Sequence, residues 1–230
     1  MSASDIIKAS AQLACDDIYD PVTPGVFGKV YRVGESVCGT VVIGNAFVIT
    51  MQGTELEEVS GDGASHFSLA GWGADFDCLV PFVHPVLGPL HAGFYEDLPA
   101  LIEQLKPDIP AGARVYVIGH SKGAGQAPQL GALLKLAGVN VVGHVLFAPP
   151  HAGYQQFADW LAKNIPGVAY RNAPQRLEAF GDPVPLVPPS PYVPSYPLTY
   201  VDAPPAGLER MLSVQWHKGA LYIQGVNAIT

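Results

Sequence analysis

The chain has 230 residues, of which 49% are hydrophobic and only 14% charged, so it holds ample material for a buried core and little of the composition that keeps segments disordered. Its formal net charge of −8 excludes the clustered basic surface that nucleic-acid binding requires, and neither DNA nor RNA is an expected partner. Three cysteines, Cys15, Cys38 and Cys78, show no C-x-x-C spacing, so neither a disulfide framework nor a metal site is expected, and no cofactor is implied.

The first residues, Met1 to Lys8, carry no basic region followed by an apolar stretch, and no apolar run approaches the ~20 residues of a membrane span. The expectation is a single domain over 1–230, without an integral membrane segment, located in the cytoplasm.

In chain order, apolar residues Ile6, Ile7, Ala11, Leu13, Ala14 and Ile18 recur at helical spacing from Ser4 to Tyr19, with Ser4 or Asp5 as a cap. Thr40 to Ile43 and Phe47 to Thr50 are apolar β-branched runs separated by Gly44-Asn45, which predicts two strands and a tight turn. A polar, acidic loop follows from Glu55. Leu98, Leu101, Ile102 and Leu105 predict an amphipathic helix over Tyr95–Leu105, stopped by Pro107.

Val115 to Ile118 is a short apolar strand, followed at once by Gly119-His120-Ser121-Lys122-Gly123 and by a helix through Leu130, Leu133, Leu134 and Leu136. Val141 to Phe147 predicts a buried strand, Tyr154 to Ala162 a helix, and Leu177 to Phe180 a further strand. Strands alternating with helices imply βαβ units and an α/β fold with a mostly parallel central sheet flanked by helices. From Pro183 to Pro205 nine prolines predict a stiff loop with neither helix nor central strand.

The chemistry centres on Ser121. A serine on a sharp strand-to-helix turn has its hydroxyl held clear of the backbone at the carboxyl edge of the sheet, and the helix N-terminus offers N–H groups to a developing oxyanion. Gly119 and Gly123 lack the Cβ atoms that would obstruct such a turn. The pattern G-x-S-x-G is weak alone; its position after an apolar strand and before an apolar helix makes it specific.

On the α/β-hydrolase arrangement an acid and then a histidine follow the nucleophile in the chain. Downstream lie Asp159, Asp182 and Asp202, and His144, His151 and His217. Asp159 falls in a predicted helix and Asp202 in the proline loop, whereas Asp182 follows a predicted strand and Gly181. Only His217 lies beyond Asp182, which nominates Ser121, Asp182 and His217. His120 adjoins the nucleophile, but consecutive side chains diverge at such a turn, so a direct bond to Ser121 is not expected. A strand-turn glycine motif, a turn-forming Asp-Pro and a terminal structural histidine are the noncatalytic alternatives for these residues.

These segments resemble the class 3 lipases, the fungal-lipase-like family of α/β-hydrolases. Val48 to Thr54 is similar to the family's strand ending in F-R-G-T or F-R-G-S, Trp72 to Asp77 to its W-x-x-D-x-D, and His91-Ala92-Gly93-Phe94 to its H-x-G-F. Phe147 to Gly153 is similar to F-G-x-P-R-x-G, and Asp182-Pro183-Val184-Pro185 with Pro188-Pro189 to D-x-V-P-x-x-P-P. The resemblance implies a serine carboxylic-ester hydrolase with an oxyanion hole from Lys122 and Thr54, and supporting roles for Asp75 and His91 beside Gly119, His120 and Gly123.

The chain departs from the family at Gln52 and His151, which stand where arginine is usual, at Met51 in place of an aromatic, and at Pro128, which predicts a kinked or late-starting helix. Glu55 to Gly71, where the family often carries a lid, is acidic and contains glycine, with Leu56, Phe67 and Leu69 its large apolar residues. That composition favours small or short-to-medium acyl esters over lipid droplets. The alternatives are a lipase, phospholipase or acyltransferase using the same residues, and a noncatalytic binding module of the same fold.

Overall fold

The computed structural model describes residues 2–19, 25–54, 81–174, 181–206 and 213–230. The sequence-predicted strand at Leu177 to Phe180, the lid-like stretch from Glu55, the supporting Asp75 and the thiol of Cys78 lie outside the described residues.

The chain begins with α1, Ala3–Cys15. Its cap is Ser2 rather than Ser4 or Asp5: the Ser2 hydroxyl accepts from Asp5 N at 3.1 Å while Ser2 N donates to Asp5 Oδ2 at 2.8 Å, a reciprocal capping box. A 3₁₀ turn, Asp17–Tyr19, follows.

The central sheet opens with three antiparallel strands, β1 Lys29–Val33, β2 Ser36–Ile43 and β3 Ala46–Met51. The expected tight turn at Gly44-Asn45 joins β2 to β3, with Gly44 at φ 59° supplying the left-handed conformation. A small outlying hairpin pairs β4 Phe82–His84 with β5 Gly88–Leu90.

The helix predicted over Tyr95–Leu105 starts later, as α3 Leu98–Leu105, and a separate short helix, α2 Ala92–Tyr95, ends where it was expected to begin. The break coincides with Pro99 in the first turn of α3, and with the Asp97 side chain accepting from Glu35 N and Ser36 Oγ across the β1–β2 turn.

Four parallel strands complete the sheet after β3. They are β6 Arg114–His120, β7 Val141–Phe147, β8 Gly167–Asn172 and β9 Leu198–Val201. The spatial order is β1-β2-β3-β6-β7-β8-β9, so the crossover occurs between β3 and β6. Helices α4 Lys122–Leu136 and α5 Gln155–Asn164 connect the parallel strands, and α6 Gly219–Ile229 ends the chain. This is the mostly parallel sheet flanked by helices expected of the α/β-hydrolase fold. Within the proline-rich stretch, β9 is nonetheless a strand. Its four residues, Leu198–Val201, fall between Pro197 and Pro204 and include no proline, so every N–H is available to the ladder, and it is the last strand in the order of the described sheet.

Both faces of the sheet are covered, and the strands show why. Phe47, Ile49 and Met51 point into one core with Phe94, Leu98, Leu101, Leu130, Leu134 and Phe157. Ala46 and Val48, their period-2 alternates, point into the other with Leu13, Ala14, Tyr222 and Val226. The first core thus carries α2 to α5, and the second carries α1 and α6. Pro128 does not delay α4, which starts at Lys122 and runs through the proline to Leu136; Pro128 is buried there. Cys15 and Cys38 are free and buried. No helix of the described residues is long and apolar enough to cross a membrane.

Candidate active site

The parallel strands end side by side at one edge, and there β6 hands the chain to α4 through Ser121. The backbone of Ser121 sits at φ 59°, ψ −131°, a conformation rare for any residue with a Cβ. Three bonds hold it. Ser121 N donates to Phe147 O at 3.0 Å, and Ser121 O accepts from Ala124 N at 2.9 Å and Gly125 N at 3.2 Å, which starts the helix. The side chain makes no capping bond, so its hydroxyl remains available at the sheet edge.

The flanking glycines are required by contact. A Cβ on Gly119 would lie 2.4 Å from Gly123 O, and one on Gly123 would lie 2.3 Å from Met51 O; both partners are backbone and cannot swing away.

Ser121 Oγ is 2.9 Å from His217 Nε2, and His217 Nδ1 is 2.8 Å from Asp182 Oδ2. A carboxylate only accepts, so Nδ1 carries the proton and Nε2 presents its lone pair to the Ser121 O–H. The three residues are 3%, 4% and 0% exposed, respectively for Ser121, His217 and Asp182, which strengthens each bond relative to water. The structure therefore brings together three residues separated by up to 96 positions in the chain.

Asp182 receives three donors. Besides His217, Val184 N donates to Oδ1 at 2.9 Å, and the Tyr222 hydroxyl donates to Oδ2 at 2.6 Å. Burial pushes the Asp182 carboxyl upward, but the His217 charge and these hydrogen bonds prevail, and it is held below the ordinary carboxylate value. Tyr222 in turn is pushed well above the usual phenol value, by burial and then by the Asp182 charge, so it stays a donor.

Asp182 is tied to the end of β8, Gly167–Asn172: Asp182 N donates to Asn172 O at 2.8 Å. Asn172 is the junction. Its side-chain Nδ2 donates to Ala203 O at 2.9 Å and Trp216 O at 3.1 Å, its Oδ1 accepts from Ala203 N at 3.0 Å, and its backbone N donates to Tyr222 Oη at 3.0 Å. Through its side-chain amide and its backbone, this one buried residue ties together Asp182, the segment before His217 and the helix after it. Neither Asn172 nor Tyr222 stood out in the sequence, because a lone Asn at a strand end and a Tyr in an apolar helix carry no local signal.

The remaining nominated residues fall as follows. Gly53 continues β3 beside the elbow, close enough that a Cβ on it would lie 2.8 Å from His120 O and 3.1 Å from Ser121 Cβ. Thr54, next in the chain, is exposed at this edge. Lys122 is the first residue of α4, whose opening N–H groups have no acceptor within the helix, and its ammonium turns aside to Glu35 at 3.3 Å. The His120 ring makes bonds away from Ser121, to Tyr19 and to the His217 carbonyl. His91 starts α2, stacks on Phe94 at 4.1 Å, and its carbonyl accepts from Gln129 of α4 at 3.1 Å, so it braces the helix that follows the elbow.

Gln52 and His151, the two positions at which the resemblance led to an expectation of arginine, hydrogen-bond to backbone carbonyls. Gln52 Nε2 donates to Ile18 O at 3.0 Å, and His151 Nδ1 donates to Pro188 O at 2.7 Å. His151 is held below the ordinary histidine value by burial, so this tie to the proline-rich segment needs no charge.

Comparison with known proteins follows the same geometry. The chain is similar in structure to the triacylglyceride lipase of Rhizomucor miehei, with a TM-score of 0.64 and 17% identity over 87% of this chain and 82% of that one. It is similar to a lipase of Rhizopus microsporus var. chinensis, with a TM-score of 0.63 and 20% identity over 90% and 77% of the two chains. A mutant form of MDLA from Penicillium cyclopium gives a TM-score of 0.60 and 17% identity over 90% of this chain and 83% of that one. At such identities these matches speak for the fold. Among curated proteins no sequence matches the chain. The sequence profile of the class 3 lipases matches residues 50–192, which include Thr54, the whole elbow and Asp182, and the chain belongs to that family of serine ester hydrolases.

Proposed function

We propose that Ser121 is the nucleophile, His217 the general base and Asp182 its orienting acid in the hydrolysis of small or short-to-medium-chain acyl esters through an acyl-enzyme. The observation that supports it most is the unbroken bond sequence Ser121 Oγ to His217 Nε2 at 2.9 Å and His217 Nδ1 to Asp182 Oδ2 at 2.8 Å, all of it buried.

In this reading Ser121 Oγ attacks the ester carbonyl while its proton passes to His217 Nε2. Asp182 stabilises the imidazolium without itself being protonated. The oxyanion is received by Lys122 N–H, at the positive end of α4, and by Thr54; one such donor is worth about 3 kcal/mol of barrier. Collapse expels the alcohol, which takes the proton from Nε2. Water, deprotonated by the same nitrogen, then attacks the acyl-enzyme carbonyl; the acyl–Oγ bond breaks, the carboxylic acid leaves, and Ser121 Oγ takes the proton back from Nε2.

The preference for smaller esters rests on the acidic, glycine-containing sequence from Glu55 to Gly71, which lacks the aromatic amphipathic pattern suited to a lipid surface. The second reading, a true lipase, phospholipase or acyltransferase with the same three residues, is favoured by the family and by the likeness to triacylglyceride lipases.

A p-nitrophenyl ester series from acetate to palmitate, run on the wild type and on Ser121→Ala, tests both parts. The expected result is turnover greatest for short and medium chains and lost in Ser121→Ala. Equal rates for the two proteins would remove the mechanism, and activity confined to long-chain emulsions would replace esterase by lipase.

A further inference from the structure

We infer that His120 is a positioning residue for the base, holding His217 through its ring face and its Nε2–H, and that the Tyr19 hydroxyl, donating to Nδ1, steadies the tautomer that the His217 carbonyl calls for. The inference rests on reading Ser121, His217 and Asp182 as the reacting set.

The tautomer follows from the acceptors. His120 Nε2 lies 3.1 Å from His217 O, and a carbonyl can only accept, so Nε2 bears the hydrogen. In a neutral ring Nδ1 is then a lone pair, and the Tyr19 hydroxyl, 3.2 Å away, donates to it. Tyr19 arrives on the 3₁₀ turn after α1, and its oxygen is wedged against the β3 extension, where a Cβ on Gly53 would lie 2.1 Å from it. The His120 ring also stacks on the His217 ring, with centroids 4.7 Å apart and planes at 27°. Tyr222 packs edge-on against His120 at 5.6 Å.

His217 has reason to need such a hold. Ser121 follows directly on β6, and Asp182 is bonded to the end of β8, whereas His217 is carried by a five-residue 3₁₀ turn, Ser213–His217. Asp182 and Ser121 meet the two ring nitrogens at 2.8 and 2.9 Å, and bonds lying in the ring plane constrain tilt about the line that joins them least. The His120 face removes that freedom, and its bond to the His217 carbonyl anchors the backbone beneath. A shift of about 1 Å in a reacting group can cost 100-fold in rate.

The neutrality of His120 is part of the arrangement. When His217 takes the Ser121 proton it becomes an imidazolium 4.7 Å from the His120 ring. A second positive charge there would oppose that step, whereas a neutral ring offers its π face to the cation. Burial, and then the His217 charge, push His120 down to about 3, against the opposing influence of Asp182; the other titratable groups facing it are Tyr19 and Tyr222.

Three variants test this on the purified chain: Tyr19→Phe, which removes one oxygen; His120→Phe, which keeps a stacking ring but no N–H; and the double variant. The readouts are kcat and KM on p-nitrophenyl butyrate, and the rate at which a fluorophosphonate labels Ser121. We expect kcat and labelling to fall together by roughly 10- to 100-fold in His120→Phe, and by roughly 3- to 10-fold in Tyr19→Phe, with KM within about twofold.

Because Tyr19 acts through His120, the double variant should be no slower than His120→Phe. Nitrogen-15 shifts should place the His120 proton on Nε2 in the wild type and on a mixture of nitrogens in Tyr19→Phe. Wild-type kcat in Tyr19→Phe, losses that multiply in the double variant, or a change in KM alone would overturn the inference. Should His120→Phe not fold, the kcat and nitrogen shifts of Tyr19→Phe decide it. If instead the wild type fails to label at Ser121, it is the triad reading that falls.

Discussion

Replacing Tyr222 by phenylalanine removes one buried oxygen and two hydrogen bonds at once. The hydroxyl donates to Asp182 Oδ2 at 2.6 Å and accepts from Asn172 N at 3.0 Å. A hydrogen bond to a charged group is worth about 1.5–3 kcal/mol net, and leaving a buried N–H without an acceptor costs about 1–3 kcal/mol. The two effects share one oxygen and are not independent, so a loss of about 3 kcal/mol is expected, with the phenyl ring still filling its place in the core. For a chain of this size that corresponds to a drop of roughly 6–12 °C in Tm.

Urea unfolding with an unchanged m-value would report it cleanly. Turnover should suffer far less, because Asp182 keeps His217 Nδ1–H and Val184 N–H and so retains its place. A stability loss under about 0.5 kcal/mol would refute the assignment of Tyr222 as the buried partner of Asp182.

Three other perturbations separate local from distributed effects. Asp182→Asn should lower kcat by about 10⁴, because an amide nitrogen facing His217 Nδ1 forces the proton onto Nε2 and removes the base; a loss under 100-fold on p-nitrophenyl butyrate would argue against the acid role. Gly123→Ala should destabilise the chain by at least ~3 kcal/mol, since its Cβ would press on Met51 O and Gln52 O, both backbone; a soluble variant with wild-type Tm would contradict the packing of the elbow. Acid should weaken the fold from about pH 6.5 downward.

The last expectation follows from His120 and His144, each pushed down to about 3, chiefly by burial, from 6.5 in the unfolded chain. Between those values the unfolded state binds the extra protons, so their contribution is intact above pH 6.5 and is lost progressively toward pH 3. The slope approaches 1.36 kcal/mol per pH unit for each histidine. Urea midpoints that stay flat between pH 7 and 5 would refute it.

What could be read without coordinates was whatever short-range sterics and periodicity impose. The elbow depends on residues within two positions of Ser121, so its glycines announced it, and the β2–β3 hairpin was legible because Gly44 supplies a conformation few other residues adopt. Apolar runs marked β3, β6 and β7, since strands covered on both faces must be apolar throughout. Weaker patterns failed. The β1 strand, Lys29–Val33, is an edge strand with exposed residues, β8 runs from Gly167 through a polar end, and α6 is a nearly all-apolar segment without caps. Each lacks the alternation or punctuation that a local reading needs.

The order of serine, aspartate and histidine in the chain was enough to nominate three residues, because chain order is a property of sequence. Their support was not. Asn172 joins Asp182, Ala203, Trp216 and Tyr222; Tyr19 and His120 meet across 101 positions. Such bonds exist only once β8, Asp182, the turn after α1 and α6 have packed against one sheet edge. Local chemistry therefore determined what stands at the centre of the site, a strained serine between two glycines at a helix start. Tertiary packing decided how His217 and Asp182 are held there, because buried polar groups find their partners through space, and those partners leave no periodic mark along the chain.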